Sequence, residues 1–462
     1  MRFAHPRYTT LAAAAASVLA ASGASAQGRA QNMQVAQVDG LGGSLGLSLE
    51  PPPVDSGRPN VFERPGRADD AMVVGSWLLY PSAFGGFIYD TNVNQGTSGK
   101  GGSSVKGVSS PGMDVAPSLL AQQDDGLFKT TLYGNADGRF YFRNVPSGGQ
   151  VISARAGATE TYKPLPDVII NGQADYTRQQ DLFSTLGTDQ TVATLNPTGV
   201  GLAPTANPAS YDQLSMAASI QKNFARSFVS VGGSAVDISY GTSSGTAAAS
   251  PSGVTYTGIG RGGFWIVPAL YVYVEGGADS RDYQTQSLSS TGYRVITGLG
   301  TDRVGLMRGE IYVGYQAETY NGPGIGTVGS PVFGVRGHYY PLPELTLNLS
   351  IDEAIGVSAQ APQAPTLTAA AGSSTRVDTA LLTADYSLSR QWSATGRGGY
   401  IRTEYVGAGR RDDAWTIGGT LTYNFFRNVG LTFDYQHIDL SSSVVAQGFM
   451  RDVVTIGATY RY

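Results

Sequence analysis

From about Trp77 to Tyr462, apolar and polar residues alternate in segments that recur roughly every 20 residues. Phe128, Thr130, Leu132, Gly134, Ala136 and Gly138 fall on one side, and Lys129, Thr131, Tyr133, Asn135, Asp137 and Arg139 on the other. Leu270, Val272, Val274, Gly276 and Ala278 oppose Tyr271, Tyr273, Glu275, Gly277 and Asp279. The chain ends the same way: Val454, Ile456, Ala458, Tyr460 and Tyr462 share one face, and Thr455, Gly457, Thr459 and Arg461 the other. Side chains of a strand point alternately to its two faces, so a spacing of two predicts strands with one apolar and one polar side. A helix would repeat its apolar residues at three and four, and these segments do not.

The connections alternate in length. Short ones fall at Asp124-Asp125-Gly126, Leu165-Pro166-Asp167, Asp302-Arg303-Val304, Leu342-Pro343-Glu344, Arg390-Gln391 and Arg427-Asn428. Between them lie long Gly/Ser/Pro/Thr-rich stretches, among them 94–112, 184–209, 321–330 and 359–374. Short turns at one end and long loops at the other are the mark of a single-chain transmembrane β-barrel, whose apolar face meets lipid and whose polar face lines the lumen. The expectation is an all-β, antiparallel transmembrane barrel of about 18 strands over residues 77–462. Segments 151–162 and 254–266 alternate least cleanly, because Ile259 and Trp265 share a face with Arg261, and they leave a count of 16 open.

Composition agrees. Charged residues make up only 14%, glycine is frequent (62 of 462), and Tyr (26) outnumbers Phe (16), as expected of strands with aromatic girdles. Without cysteine there is no disulfide framework, thiol nucleophile or thiolate metal site. A closed sheet pairs every strand edge without such staples. The net charge of −4 argues against a nucleic-acid partner.

Residues 1–26 read as a secretory signal peptide, with Arg2 and Arg7 ahead of an apolar stretch from Leu11 to Ala21 and a small-residue site at Ala24-Ser25-Ala26. Residues 27–76, with Pro51-Pro52-Pro53 and Arg58-Pro59, read as a Pro/Gly-rich extended tail on the periplasmic side. Export without a helical anchor, joined to this strand pattern, places the barrel in a bacterial outer membrane, in contact with its lipid.

Alternation assigns these charged and aromatic side chains to the lumen: Lys129, Tyr133, Asp137, Arg139, Arg155, Tyr271, Tyr273, Glu275, Asp279, Arg308, Glu310, Tyr312, Glu318, Arg336, Asp352, Arg397, Asp434 and Arg461. Both signs occur, so strong selection of anions or cations does not follow; mixed charge can instead set a transverse field at a constriction. The tyrosines could stack on the apolar faces of sugars, or pair with the charges and fill the wall. Enzyme chemistry has little to stand on. Outside the signal segment only His338 and His437 remain, and although His437 lies near Asp439 and Ser441 to Ser443, nothing marks a nucleophile. Two histidines on separate strands make no metal site, and no cofactor motif is present: Gly258-Ile259-Gly260-Arg261-Gly262-Gly263 does not lie between a strand and a helix.

Val61-Phe62-Glu63-Arg64-Pro65, then Leu79-Tyr80-Pro81, then Tyr89-Asp90-Thr91-Asn92-Val93 resemble the putative β-barrel porin 2 family. That family has a Pro-containing lead-in, a Tyr-Pro and a Tyr-Asp-x-Asn-aliphatic motif ending the first strand. The resemblance implies an envelope barrel linked to capsular or exopolysaccharide production, with no catalytic residues. An exporter conduit would need periplasmic polysaccharide-export partners, and the proline-rich tail could supply the contact. The aromatic end of the last strand, Tyr460 and Tyr462, resembles the C-terminal signal read by the barrel-insertion machinery. The expected function is a pore or conduit, with polysaccharide export preferred; a general diffusion porin and a closed structural or surface-exposed barrel are the alternatives.

Overall fold

A computed structural model describes residues 71–462 apart from 94–106, 144–149, 180–210, 241–251, 285, 287–288, 323–325, 358–373, 390, 407–408, 427 and 444–447. The expected signal peptide, most of the expected tail and the loop 184–209 lie outside these residues.

The described chain is all strand apart from its turns. A short β1 (Met72–Val74) forms a hairpin with β2 (Trp77–Asp90). It lies in the segment expected to be tail, because Val73 and Val74 continue the apolar pattern back across Gly75, which turns the chain with a left-handed φ of 62°. There follow β3 (Ser110–Asp124), β4 (Phe128–Tyr141), β5 (Gln150–Leu165), β6 (Val168–Gln179), β7 (Tyr211–Asn223), β8 (Ser227–Tyr240) and β9 (Gly253–Val267). The second half holds β10 (Leu270–Tyr283), β11 (Ser290–Val304), β12 (Met307–Tyr320), β13 (Thr327–Leu342), β14 (Leu345–Val357) and β15 (Ser374–Tyr386). It ends with β16 (Trp392–Tyr405), β17 (Arg410–Asn424), β18 (Val429–Ser442) and β19 (Phe449–Arg461).

Each strand from β2 to β19 pairs antiparallel with the next, and β19 pairs with β2, from Val453↔Asp90 to Arg461↔Ser82. The sheet therefore closes as an 18-stranded barrel, with the 16-strand count set aside. The two unclear segments are β5 and β9: Ile259, Arg261 and Trp265 all point into the lumen, so the polar face is mixed there and the lipid face is not. One expected turn moves. β11 runs through Val304, and the chain reverses at Gly305-Leu306, where Gly305 takes a left-handed φ of 64°.

Burial alternates as the sequence pattern does. Phe87, Val313, Ile417 and Ile456 are exposed outward, while their neighbours Ile88, Tyr312, Thr416 and Thr455 are buried inward. Outward aromatics gather near both strand ends. Phe128 stacks on Tyr162 (4.5 Å) and Trp392 packs on Tyr423 (4.6 Å) at the short-turn end; Tyr400 packs on Trp415 (4.3 Å) towards the long loops. Two such belts around an apolar band match the two membrane interfaces. Beyond the upper belt the outward face becomes charged: Arg402 lies 3.0 Å from Asp413 and Arg411 2.9 Å from it.

Glycine has a second task here. On the lumen face Tyr271 pairs with Gly300, Tyr273 with Gly298 and Tyr312 with Gly334. A Cβ at Gly300 or Gly334 would sit 2.1 Å from the partner's ring carbon. The rings lie flat over the glycines, covering backbone that the missing side chains leave bare.

Candidate functional site

The lumen wall carries the chemistry, and its groups form five clusters. The largest runs across β9 to β14. The Arg261 guanidinium lies 2.6 Å from Glu275 and 3.1 Å from Glu310. Glu310 also meets Arg336 at 3.3 Å, and Arg336 reaches Asp352 at 3.0 Å. Asp352 accepts a hydrogen bond from the Tyr312 hydroxyl and lies 3.4 Å from Arg294. The Tyr273 ring sits 4.2 Å from the Arg261 guanidinium carbon, within cation–π range. Charges of opposite sign alternate along this chain of contacts, so each buried ion has a partner, which buried ions require.

Nearer the long loops, Arg281 lies between Asp279 (2.9 Å) and Glu318 (3.4 Å). On β4 to β6, Arg155 lies 2.7 Å from Asp175, which also accepts a hydrogen bond from Tyr133 at 2.6 Å. On β16 to β18, Arg397 meets Asp434 at 2.6 Å and donates to Thr420.

At the seam of the barrel, Asp90 is held by Arg451 through Nε (3.0 Å) and Nη2 (2.7 Å) and by the Tyr141 hydroxyl (2.9 Å). The Asn92 amide N–H caps the same carboxylate at 2.9 Å, and its side chain donates to the Met450 carbonyl. Thr91 exchanges two hydrogen bonds with Asp452, one of them through its hydroxyl. Val93 packs with Ile88, Val151 and Val453. The motif Tyr89-Asp90-Thr91-Asn92-Val93 thus ties the first barrel strand to the last. Beside it Asp137 pairs with Arg139 at 3.3 Å.

These contacts account for fifteen of the expected lumen residues, as neighbours in paired clusters or seated over glycine. The remaining three, Lys129, Arg308 and Arg461, lie on the inward side near the short turns, Lys129 exposed and the two arginines half-buried. The tyrosines are not open stacking faces: Tyr271, Tyr273 and Tyr312 are almost fully buried against the wall and its charges. Sequence reasoning missed Asp90, Asp175, Arg261, Arg281, Arg294 and Arg451. Arg261 and Arg294 share their face with the apolar Ile259 and Ile296, which hid the polar side. Asp90 and Arg451 could have been found by asking which ends must meet when a barrel closes.

The residues near His437 do not assemble as a triad. His437 faces outward and pairs with Asp452 at 2.8 Å. The Ser441 hydroxyl donates to the Asp413 carbonyl, and that of Ser442 to the Asp412 carboxylate. Among the described residues no group of three or more His, Asp or Glu side chains is spaced to hold a metal ion.

Comparison with known proteins gives a family whose description is putative beta-barrel porin 2, matching residues 70–462. No curated protein sequence matches. Similar solved structures include the siderophore receptor PirA from Pseudomonas aeruginosa, at 8% identity and TM-score 0.38, covering 83% of this chain and 80% of that one. The FrpB iron transporter from Neisseria meningitidis is similar at 10% identity and TM-score 0.38, covering 84% and 82%. An anion-selective porin from Comamonas acidovorans is similar at 11% identity and TM-score 0.36, covering 84% and 99%.

Proposed function

The chain belongs to the putative β-barrel porin 2 family, an outer-membrane β-barrel with a porin-like fold, and from that premise we propose that it is a conduit for polar, uncharged cargo, with exopolysaccharide chains as the preferred cargo. The observation that carries this reading is the charge balance of the lumen. The buried arginines at the centre of the wall each face a carboxylate, as in Arg261 with Glu275 and Glu310 or Arg397 with Asp434. A wall neutralised at short range projects little net potential into the bore, so it neither concentrates nor repels ions strongly. It still offers hydroxyls and carboxylates to a hydroxyl-rich chain. The preference for polysaccharide rests on the family's link to its production.

The general diffusion porin is the second reading, and the same balance favours it for small neutral solutes. Planar-bilayer recording of the folded protein, with reversal potentials in a salt gradient and blocking by added neutral oligosaccharides, tests both. Current with weak ion preference that long oligosaccharides interrupt more than short ones supports the conduit. Equal response to long and short sugars favours the diffusion porin. Strong ion selection overturns the charge-balance argument, and no current at all favours a closed structural barrel.

A further inference from the structure

The ladder between β13 and β14 is incomplete. It runs from Leu342↔Leu345 up to Val335↔Ile351 and stops there. Above that level β13 stays paired with β12 as far as Thr327, and β14 stays paired with β15 as far as Val357. The two strands are therefore neighbours in the order of the wall but have no backbone pairing above that level.

The upper part of β14 lies inside the barrel instead. Its Ile355 carbonyl accepts a hydrogen bond from Arg281 of β10 at 3.2 Å. Four strand spacings along a closed wall amount to about 19 Å, well beyond the reach of one arginine. Glu353 continues the outward-facing row Leu347, Leu349, Ile351, yet it is buried and bonds the inward-facing hydroxyl of Ser330 on β13. The outer face of upper β14 thus overlaps the inner face of β13, like one shingle beneath another.

Two features suit a segment that moves. Pro331 stands in the part of β13 that lacks its β14 partner, and a proline has no N–H to leave stranded at an unpaired edge. Behind the overlap lies a cavity of about 30 Å³, room for one water, lined by Arg281, Arg294, Gln316, Glu318 and Ile355. Arg294 Nε and Nη1, Gln316 Nε2 and Glu318 Oε1 make no hydrogen bond within the protein. An interface held by polar contacts around a polar cavity exchanges them for water at less cost than a dry packed one.

We propose that upper β14, carrying its β15 partner, is a hinged part of the wall that narrows the bore when tucked inward and widens it when it pairs with β13. This rests on the conduit reading above. The open state has a defined register: three steps beyond Val335↔Ile351, Val332 would face Ala354.

The native chain has no cysteine, so introduced pairs report cleanly. Val332→Cys with Ala354→Cys tests the open register by oxidation. Ser330→Cys with Glu353→Cys, bridged by a short bis-methanethiosulfonate reagent, tests the tucked one, and Gly337→Cys with Leu349→Cys on the standing ladder is the positive control. The expected result is that both test pairs cross-link, that the open-state disulfide raises single-channel conductance, that the tucked-state bridge lowers it, and that reduction reverses each change. Failure of the Val332/Ala354 pair to oxidise while the control oxidises overturns the hinge. So does cross-linking of both pairs with unchanged conductance in a barrel that carries current. If both pairs cross-link and no state carries current, the hinge stands and the conduit reading falls.

Discussion

Replacing Arg451 with methionine should cost the barrel about 3 kcal/mol of stability. The Asp90 carboxylate is fully buried, and Arg451 is the cation that holds it, with side-chain exposures of 0% and 1%. Removing one member of a buried pair leaves an uncompensated charge and typically costs about 3–5 kcal/mol. The lower end applies here, because the Tyr141 hydroxyl and the Asn92 amide still donate to Asp90. The double change Asp90→Asn, Arg451→Met removes both charges and should recover most of the loss. Arg402→Met is the control: its pair with Asp413 is outward and partly exposed, worth about 0–1 kcal/mol. Urea unfolding in lipid vesicles, followed by tryptophan fluorescence, gives all three values. The effect should lie mainly in closure of β19 on β2, so resistance of the folded barrel to protease should fall in parallel. The reasoning is refuted if Arg451→Met costs no more than Arg402→Met, or if the double variant is no more stable than the single.

Val231→Arg places a cation on the outward face and should cost about 2–4 kcal/mol near the bilayer centre, whereas Ser234→Arg, on the inward face of the same strand, should cost far less; equal costs in the same unfolding assay would invert the facing of β8. Gly300→Val forces a side chain against the Tyr271 ring and should destabilise by about 1–3 kcal/mol, with Tyr271→Ala relieving part of the loss; no relief in the double variant would mean the ring is not seated there. Arg397→Ala leaves Asp434 without its cation and should shift the reversal potential towards cation preference; an unchanged potential would place this pair off the permeation path. Deleting Tyr462 should slow membrane assembly, read by gel mobility of folded against unfolded protein; assembly at the full rate would remove the terminal aromatic from the insertion signal.

Much of this architecture is visible in the chain itself. Leu270 to Asp279 alternates so regularly that both faces of β10 can be assigned without coordinates, and the same holds for β4, β12, β17 and β19. The mixed face of β9 was legible only as a break in the rule, since Ile259 and Trp265 beside Arg261 make either side a candidate for lipid. Fifteen expected lumen residues meet in clusters or sit over glycine, yet their partners were not foreseen. Glu310 touches Arg261 and Arg336 only because β12 lies beside β13 at one register, with Arg261's strand three places round the wall.

The division has a physical reason. A spacing of two is a property of neighbouring residues, so strand, facing and the membrane-spanning barrel follow from the sequence read locally. Register, closure and departures from the wall depend on residues far apart in the chain. Asp90 and Arg451 are separated by 361 positions and meet because the sheet closes. The stop in the β13–β14 ladder leaves one mark on the alternation, a carboxylate in the otherwise apolar outward row of β14, and that mark does not say where the strand goes. Glu353 keeps its place in the outward row of β14, and only the inward course of that strand in three dimensions turns the row towards Ser330.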